Sequence, residues 1–361
     1  MKYNFKITII DKYIIKKFIG TYLFSILLII GVVIIFDISE KIDKFSNATL
    51  YEVIFNYYAN FIPYFQNMFS PLFVFITVIF FTSKLASNSE IVAMLAGGIS
   101  FKRLMYPYMI SAFVIASFSL LLNLFIIPPA NAGRLKFENK YIKKEEKSER
   151  NQHYQVSPGN FLYVESFSKW DNSAYKFTLE TIKDHKIISK LSAERAQWDS
   201  TKHCWSLKNY HKREYVGSSE IVTMGKEIDT SIAITIDDFT RRKNFVQTLN
   251  YSQLNELIDI QRMRGDKKIQ NSLLEKNTRF AIPFSAFILT IIGVSLSSRK
   301  RRGGIGFNLI IGIVLSFSYI LFLKFSEMFV ATDTLPPFIA LWLPNFIYAI
   351  IAIFLYRIAP K

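Results

Sequence analysis

The chain has 361 residues, 51% of them hydrophobic, and its 44 Lys and Arg against 28 Asp and Glu leave a formal net charge of +16. That charge invites a nucleic-acid reading, but much of it flanks apolar tracts, and the polar middle mixes both signs without a basic stripe, so no nucleic acid is expected as a partner. The single cysteine, Cys204, excludes an intramolecular disulfide, and the polar middle must therefore fold around a hydrophobic core.

Read from the N-terminus, Phe18 to Phe36 carries no charge and, at ~1.5 Å per residue, nearly covers a hydrocarbon core of ~30 Å. Asp37-Ile-Ser-Glu-Lys follows where a cleaved signal peptide would show small residues, so this span is read as retained. A second uncharged tract runs from Val53 to Ser83, with its membrane part expected at Ile62 to Thr82. The third span, Leu104 to Ile127, is expected to end at Pro128-Pro129. Three more follow at Phe280 to Leu296, Ile305 to Leu323 and Phe338 to Leu355.

Cytoplasmic loops retain Lys and Arg. Lys2, Lys6, Lys12, Lys16, Lys17, Lys84, Lys102, Arg103, the Arg299 to Arg302 run, Arg357 and Lys361 fall on one side, and only Lys41, Lys44 and Lys324 on the short loops of the other. Both termini are thus expected to be cytoplasmic, with the polar middle on the far side. The spans contain no ionisable residue; Arg279, Lys324 and Glu327 lie beyond their ends and are expected to reach headgroups or water. Ion-coupled carriage and a water-filled polar channel are disfavoured on that ground.

The domain reading is 1–128 for the first three spans with an N-terminal interfacial helix, 129–245 for a β domain, and 246–361 for a connecting helix and the last three spans. Lys140 to Arg150 alternates sign and reads as a solvated helical connector. Short aromatic and β-branched runs follow at Phe161 to Val164, Tyr175 to Leu179, Ile187 to Leu191, Cys204 to Leu207, Glu220 to Thr223 and Ser231 to Ile236, separated by turn residues, which predicts an antiparallel sandwich or barrel-like domain. After Asp238 the helical period returns with Leu254, Leu257 and Ile258 on one face and Gly265 as a stop; a second helix carries Leu273-Leu274 into the fourth span.

Catalytic signals are sparse. His153, His185, His203 and His211 lack the spacing of a helical zinc pair, and His203 beside Cys204 has no second cysteine, so no metal or catalytic residue is expected. No phosphate loop occurs, and Gly303-Gly304-Ile-Gly306 reads as a flexible turn, so any ATP dependence has to come from another subunit. The turn between the second and third spans is more specific. Ser87-x-x-Glu90 is read as a capping box, Ile91, Val92, Met94 and Leu95 supply apolar bulk, and Gly97-Gly98 ends the helix with positive φ. Residues alone leave two readings open: a surface helix lying against lipid or neighbouring spans, or a short helix fitting a groove on a soluble motor subunit.

Asp11-Lys-Tyr-Ile-Ile-Lys-Lys-Phe18, Ser89-Glu-Ile-Val-Ala-Met-Leu-Ala-Gly-Gly-Ile-Ser100, Phe161-Leu-Tyr-Val-Glu165 and Leu335-Pro-Pro-Phe-Ile-Ala-Leu-Trp-Leu-Pro344 together resemble the LptF/LptG lipopolysaccharide-transport permeases, the G member slightly more than the F. The resemblance implies an α-helical membrane protein with six transmembrane helices (3+3) and an inserted all-β periplasmic jellyroll-like domain, in the inner membrane of a Gram-negative bacterium. It implies a heterodimer with a second permease of the family, a cytoplasmic ABC ATPase dimer that uses ATP and Mg while this chain binds no cofactor, a periplasmic jellyroll bridge protein and a membrane-anchored LptC-like protein. Ser89, Glu90, Ile91, Val92, Met94, Gly97 and Gly98 would then contact the ATPase, and the first and fifth spans would form a lateral gate. Lys41, Lys44 and Lys324 stand at headgroup height, as lipid-phosphate ligands or as ordinary interfacial anchors. Members can carry a Lys late in the first span; here Gly31-Val-Val-Ile-Ile-Phe36 is uncharged. The alternative is a mechanotransmission or lipoprotein-release type of ABC permease, which usually has four spans.

Overall fold

The computed structural model describes residues 7–142, 150–202, 204–217, 219–232, 234–240, 243–266, 268–299, 304–332 and 334–359. Expectations placed on Lys2, Lys6, most of the Lys140 to Arg150 run, His203, the basic turn at Lys300 to Arg302, Gly303 and Lys361 lie outside these residues. Two compact units emerge: residues 1–142 with 246–251 and 273–361, and residues 143–245 with 252–272.

The first unit opens with α1 (Ile9–Phe45), a single 37-residue helix, so the segment expected as a separate interfacial helix forms its opening turns. Thr8 caps it reciprocally: Asp11 N donates to Thr8 Oγ1, and Thr8 N donates to Asp11 Oδ2 at 2.7 Å. The second apolar tract is interrupted. A π-helical turn, Glu52–Tyr58, leads into α2 (Ala59–Met68), and α3 (Ser70–Ser87) restarts after Phe69, so the candidate span is α3 and not Ile62 to Thr82. Pro71 is placed in the first turn of α3, where its missing N–H would have no partner anyway. A seven-residue helix α4 (Glu90–Ala96) precedes α5 (Phe101–Leu121). Pro128-Pro129 does not end the third span: a π-helical turn at Leu122–Ile126 passes directly into α6 (Ile127–Phe137), and Glu138–Ile142 adds another. The prolines open α6, where the π turn has already interrupted the regular ladder.

The second unit carries an antiparallel sheet of β1 (Gln152–Ser157), β2 (Asn160–Val164), β3 (Ser166–Ser168), β4 (Ser173–Lys183), β5 (Lys186–Asp199), β6 (Cys204–Val216) and β7 (Ser219–Thr230), ordered β1-β2-β4-β5-β6-β7 with β3 also on β4. Among the described residues of the run expected as a strand at Ser231 to Ile236, none is in a strand: Ile234 joins the buried cluster, Ile232 and Ile236 pack against it, and Ile236 opens α7 (Ile236–Thr240). What holds this run is Ile234, fully buried, whose carbonyl accepts from the indole N–H of buried Trp205 at 2.8 Å. Phe239 then stacks on Phe167 at 5.0 Å. At the rim, Asp171 accepts from Tyr175 at 3.0 Å and Arg195 at 2.8 Å. Helix α8 (Tyr251–Met263) buries Leu254 and Ile258, and Gly265 at φ +62 follows it.

The chain returns to the first unit with α9 (Ile269–Ser297), α10 (Gly304–Ala331) and α11 (Pro337–Ile358). Among the described residues six helices are long and apolar enough to cross a membrane, and the β domain is inserted between the third and fourth. The spans on α3 and α9 are each 78% buried, against 17% for α1 and 28% for α10. The former pair is thus the inner core of the bundle, and the latter pair presents apolar faces such as Leu27 and Ile35 on α1 and Ile310 and Val314 on α10. Glycines let α9 and α10 approach α3 closely: a Cβ at Gly293 of α9 would meet Val78 Cγ1 at 2.7 Å, and one at Gly312 of α10 would collide with Ile79. Arg279 does not reach water. It is 2% exposed, its Nε donates to Glu275 at 3.1 Å and its Nη2 to the Leu249 carbonyl at 2.8 Å. Lys324 and Glu327 are paired with each other inside α10.

Candidate functional site

Two places in the helical unit gather the residues singled out by the sequence. The first is the hook between α3 and α5. Ser87 is the last residue of α3 and makes no capping box with Glu90; instead Ser89, at φ +61, turns the chain and starts α4 without a side-chain cap. Glu90 is held from two sides, accepting from Asn88 Nδ2 at 3.2 Å and from the Tyr13 hydroxyl of α1 at 3.2 Å. At the other end, Gly98 at φ +86 donates to Leu95 O and Ile99 N donates to Met94 O, each at 3.1 Å, which is a Schellman closure. Gly97 itself keeps negative φ.

The hook has two faces. Ile91 is fully buried in the cluster that includes Ile14, Phe18 and Leu85, with Met94 and Leu95 packed against it. Ser89, Val92, Ala93, Ala96 and Gly97 are exposed. An apolar strip with small neighbours is thereby offered outward while the opposite strip anchors the helix. Arg103, in the first turn of α5, binds Asp11 with both guanidinium arms, Nη1 to Oδ1 at 2.6 Å and Nη2 to Oδ2 at 2.5 Å. Asp11, Tyr13 and Asn88 were not singled out as site residues from the sequence. Nothing in local pattern marks a pair such as Tyr13 and Glu90, 77 positions apart.

The second place is the opposite end of α1. Lys41 pairs with Asp37 and donates to the Tyr57 hydroxyl at 2.6 Å. The Tyr57 and Tyr58 hydroxyls both donate to Asp37, at 3.3 and 3.1 Å. Lys41 is therefore committed within a cage of rings that includes Phe61. Lys44 is exposed in the last turn of α1. Nearby, Glu52 accepts from Thr49 N, Thr49 Oγ1, Tyr141 and Lys140, and these donors, the Thr49 backbone N–H first, pull its carboxyl down to about 2.

Lys324 is elsewhere, on α10, lining a mainly apolar cavity of about 310 Å³ into which Asn67, Asn123, Glu275 and Arg279 bring polar groups. Its Nζ lies 2.9 and 2.7 Å from the two Glu327 oxygens. Arg279 Nη1 has no hydrogen-bond partner among the described residues. The three lysines thus do not form one cluster; Lys41 and Lys324 are already paired, and Lys44 is the one set free toward its surroundings among the described residues.

A search of curated proteins returned no match. A family model described as the lipopolysaccharide export system permease LptF/LptG matches residues 12–358, nearly the whole chain, without separating the two members.

Proposed function

Because the chain belongs to the LptF/LptG family of lipopolysaccharide export permeases, we propose that it is one of two membrane subunits of an ATP-driven extractor, moved by a separate cytoplasmic ATPase dimer. At family level it is a multi-pass inner-membrane permease, and the family is generally non-catalytic. In the reading proposed here both termini and the hook are cytoplasmic, and the β domain is periplasmic. ATP and Mg are used by the ATPase. The hook residues Ser89, Glu90, Ile91, Val92, Met94, Gly97 and Gly98 are its coupling element, with Val92 and Ser89 facing the motor and Ile91 and Met94 passing its displacement to the bundle.

The observation that carries this reading is the double attachment of the hook. A surface helix lying idle on lipid has no need of a carboxylate bonded to α1 through Tyr13 and a flanking guanidinium locked to Asp11. Displacement of α4 is therefore transmitted to α1. The outward apolar faces of α1 and α10 fit a lateral gate closed by the second permease, around a cavity for acyl chains. Lys44, with Lys41 and Lys324 once their carboxylates are exchanged, would meet the lipid phosphates. Among the described residues β1 and β7 are each paired on one side only, and such sheet edges suit continuation into a jellyroll bridge protein and an LptC-like partner.

Glu90→Lys tests the coupling. Its expected outcome is loss of lipopolysaccharide release from reconstituted vesicles and loss of ATPase copurification, with membrane insertion intact. A variant that still exports lipid and still retains the ATPase removes the assignment.

A further inference from the structure

At the bundle end that carries α4, helices α5, α9 and α11 leave a groove of about 650 Å³, within the ~300–1,000 Å³ range of small-molecule sites. Its interior is apolar, with Met105, Met109, Ile291 and Ile353 among the lining residues. Its mouth holds Lys102 and Arg357, both exposed. No carboxylate lines it among the described residues. Lys102 sits in the first turn of the 21-residue α5, where aligned N–H groups already place partial positive charge, so a cation there is opposed by the helix and an anion is favoured twice. At the C-terminal end of α11, where partial charge is negative, the Arg299 side chain donates to the Ile358 carbonyl and offsets it. Positive potential and an apolar slot therefore share one opening on helices of membrane-spanning length.

We propose that this groove binds an anionic diacyl phospholipid of the adjoining leaflet, with one acyl chain along Met105, Met109 and Ile353 and the phosphate at Lys102 and Arg357. Charge complementarity selects this occupant. A zwitterionic headgroup brings its own cation to a mouth that already holds two, whereas basic pockets between spanning helices take anionic headgroups. The site is separate from the gate faces of α1 and α10, and its occupancy needs neither ATP nor export.

The test uses the full chain in nanodiscs of equal phosphatidylglycerol and phosphatidylcholine with matched acyl chains, followed by transfer to mild detergent and native mass spectrometry of retained lipid. Wild type is expected to keep phosphatidylglycerol in preference. Lys102→Gln with Arg357→Gln lowers that preference by about tenfold or more, as expected for removing two cations at a membrane surface. Ile353→Trp fills the slot from an exposed position and lowers retention of both lipids, while Lys16→Gln with Lys17→Gln, which removes cations outside the groove, leaves the preference unchanged. Equal retention of the two lipids by wild type, equal loss in the Lys16/Lys17 pair, or unaltered retention in Ile353→Trp overturns the proposal.

Discussion

Arg103 clasps Asp11 across 92 positions of sequence, with a bidentate geometry that joins the start of α5 to the start of α1. Asp11 is 1% exposed, and its carboxylate also receives two bonds from Thr8, so its charge is fully compensated. Arg103→Ala leaves that carboxylate buried and unpaired. Breaking a buried pair costs ~3–5 kcal/mol, and because the Arg103 side chain is 29% exposed the expected loss is smaller, about 2 kcal/mol. Thermal unfolding in detergent measures it, and Asp11→Asn combined with Arg103→Ala should recover most of the loss by removing the stranded charge.

Gly98 is the position where the hook turns back with φ +86. A Cβ there meets nothing within 4 Å, so Gly98→Ala is opposed by backbone conformation alone, at about 1 kcal/mol. Gly98→Asn should be milder, since Asn tolerates this region. Urea midpoints of the two variants in detergent check the order. A less stable Asn variant would mean that space, not φ, governs the site.

The approach of α10 to α3 rests on Gly312 against Ile79. Gly312→Ala forces the Ile79 side-chain end to move and should lower the unfolding temperature. Ile79→Val removes the colliding Cδ1 atom, so in its presence Gly312→Ala should cost markedly less than alone. A double-mutant cycle measures this coupling, and strict additivity would contradict the packing described.

In the β domain the Ser168 hydroxyl, with the Tyr175 hydroxyl and the Arg195 guanidinium, holds the Asp171 carboxyl below the usual carboxylate range. A depressed folded value adds stability that is fully present above the unfolded value of ~3.9 and is lost as pH falls through the folded one. The stability gap between wild type and Asp171→Asn should therefore be flat near neutral pH and close below about pH 4. Tryptophan fluorescence of the buried Trp205 during unfolding of the full chain follows it.

The six spans were legible because apolar tracts of membrane length need no tertiary information. Phe161 to Val164 and Cys204 to Leu207 likewise fell inside β2 and β6, since aromatic and β-branched runs fit a half-buried pleat. Ser231 to Ile236 has the same alternation, yet the Ile234 carbonyl is taken by the Trp205 indole, which only the fold reveals. The hook was visible as a short apolar helix with a glycine stop. Its start was not, because α3 continues through Ser87 and the left-handed turn falls on Ser89, a residue that advertises no positive φ. The fate of Lys41 was hidden as well, since its partners are Asp37 and Tyr57, and Tyr57 and Tyr58 reach that Asp37 from another helical segment.

Helix α1 runs 37 residues with neither proline nor π turn, about 56 Å end to end and nearly twice the ~30 Å of oily thickness it crosses. It therefore lacks the usual causes of a sharp kink. Tyr13 at the hook and Lys41 in the tyrosine cage belong to this one helix, about eight turns apart, so a tilt of α1 at the first end displaces the second.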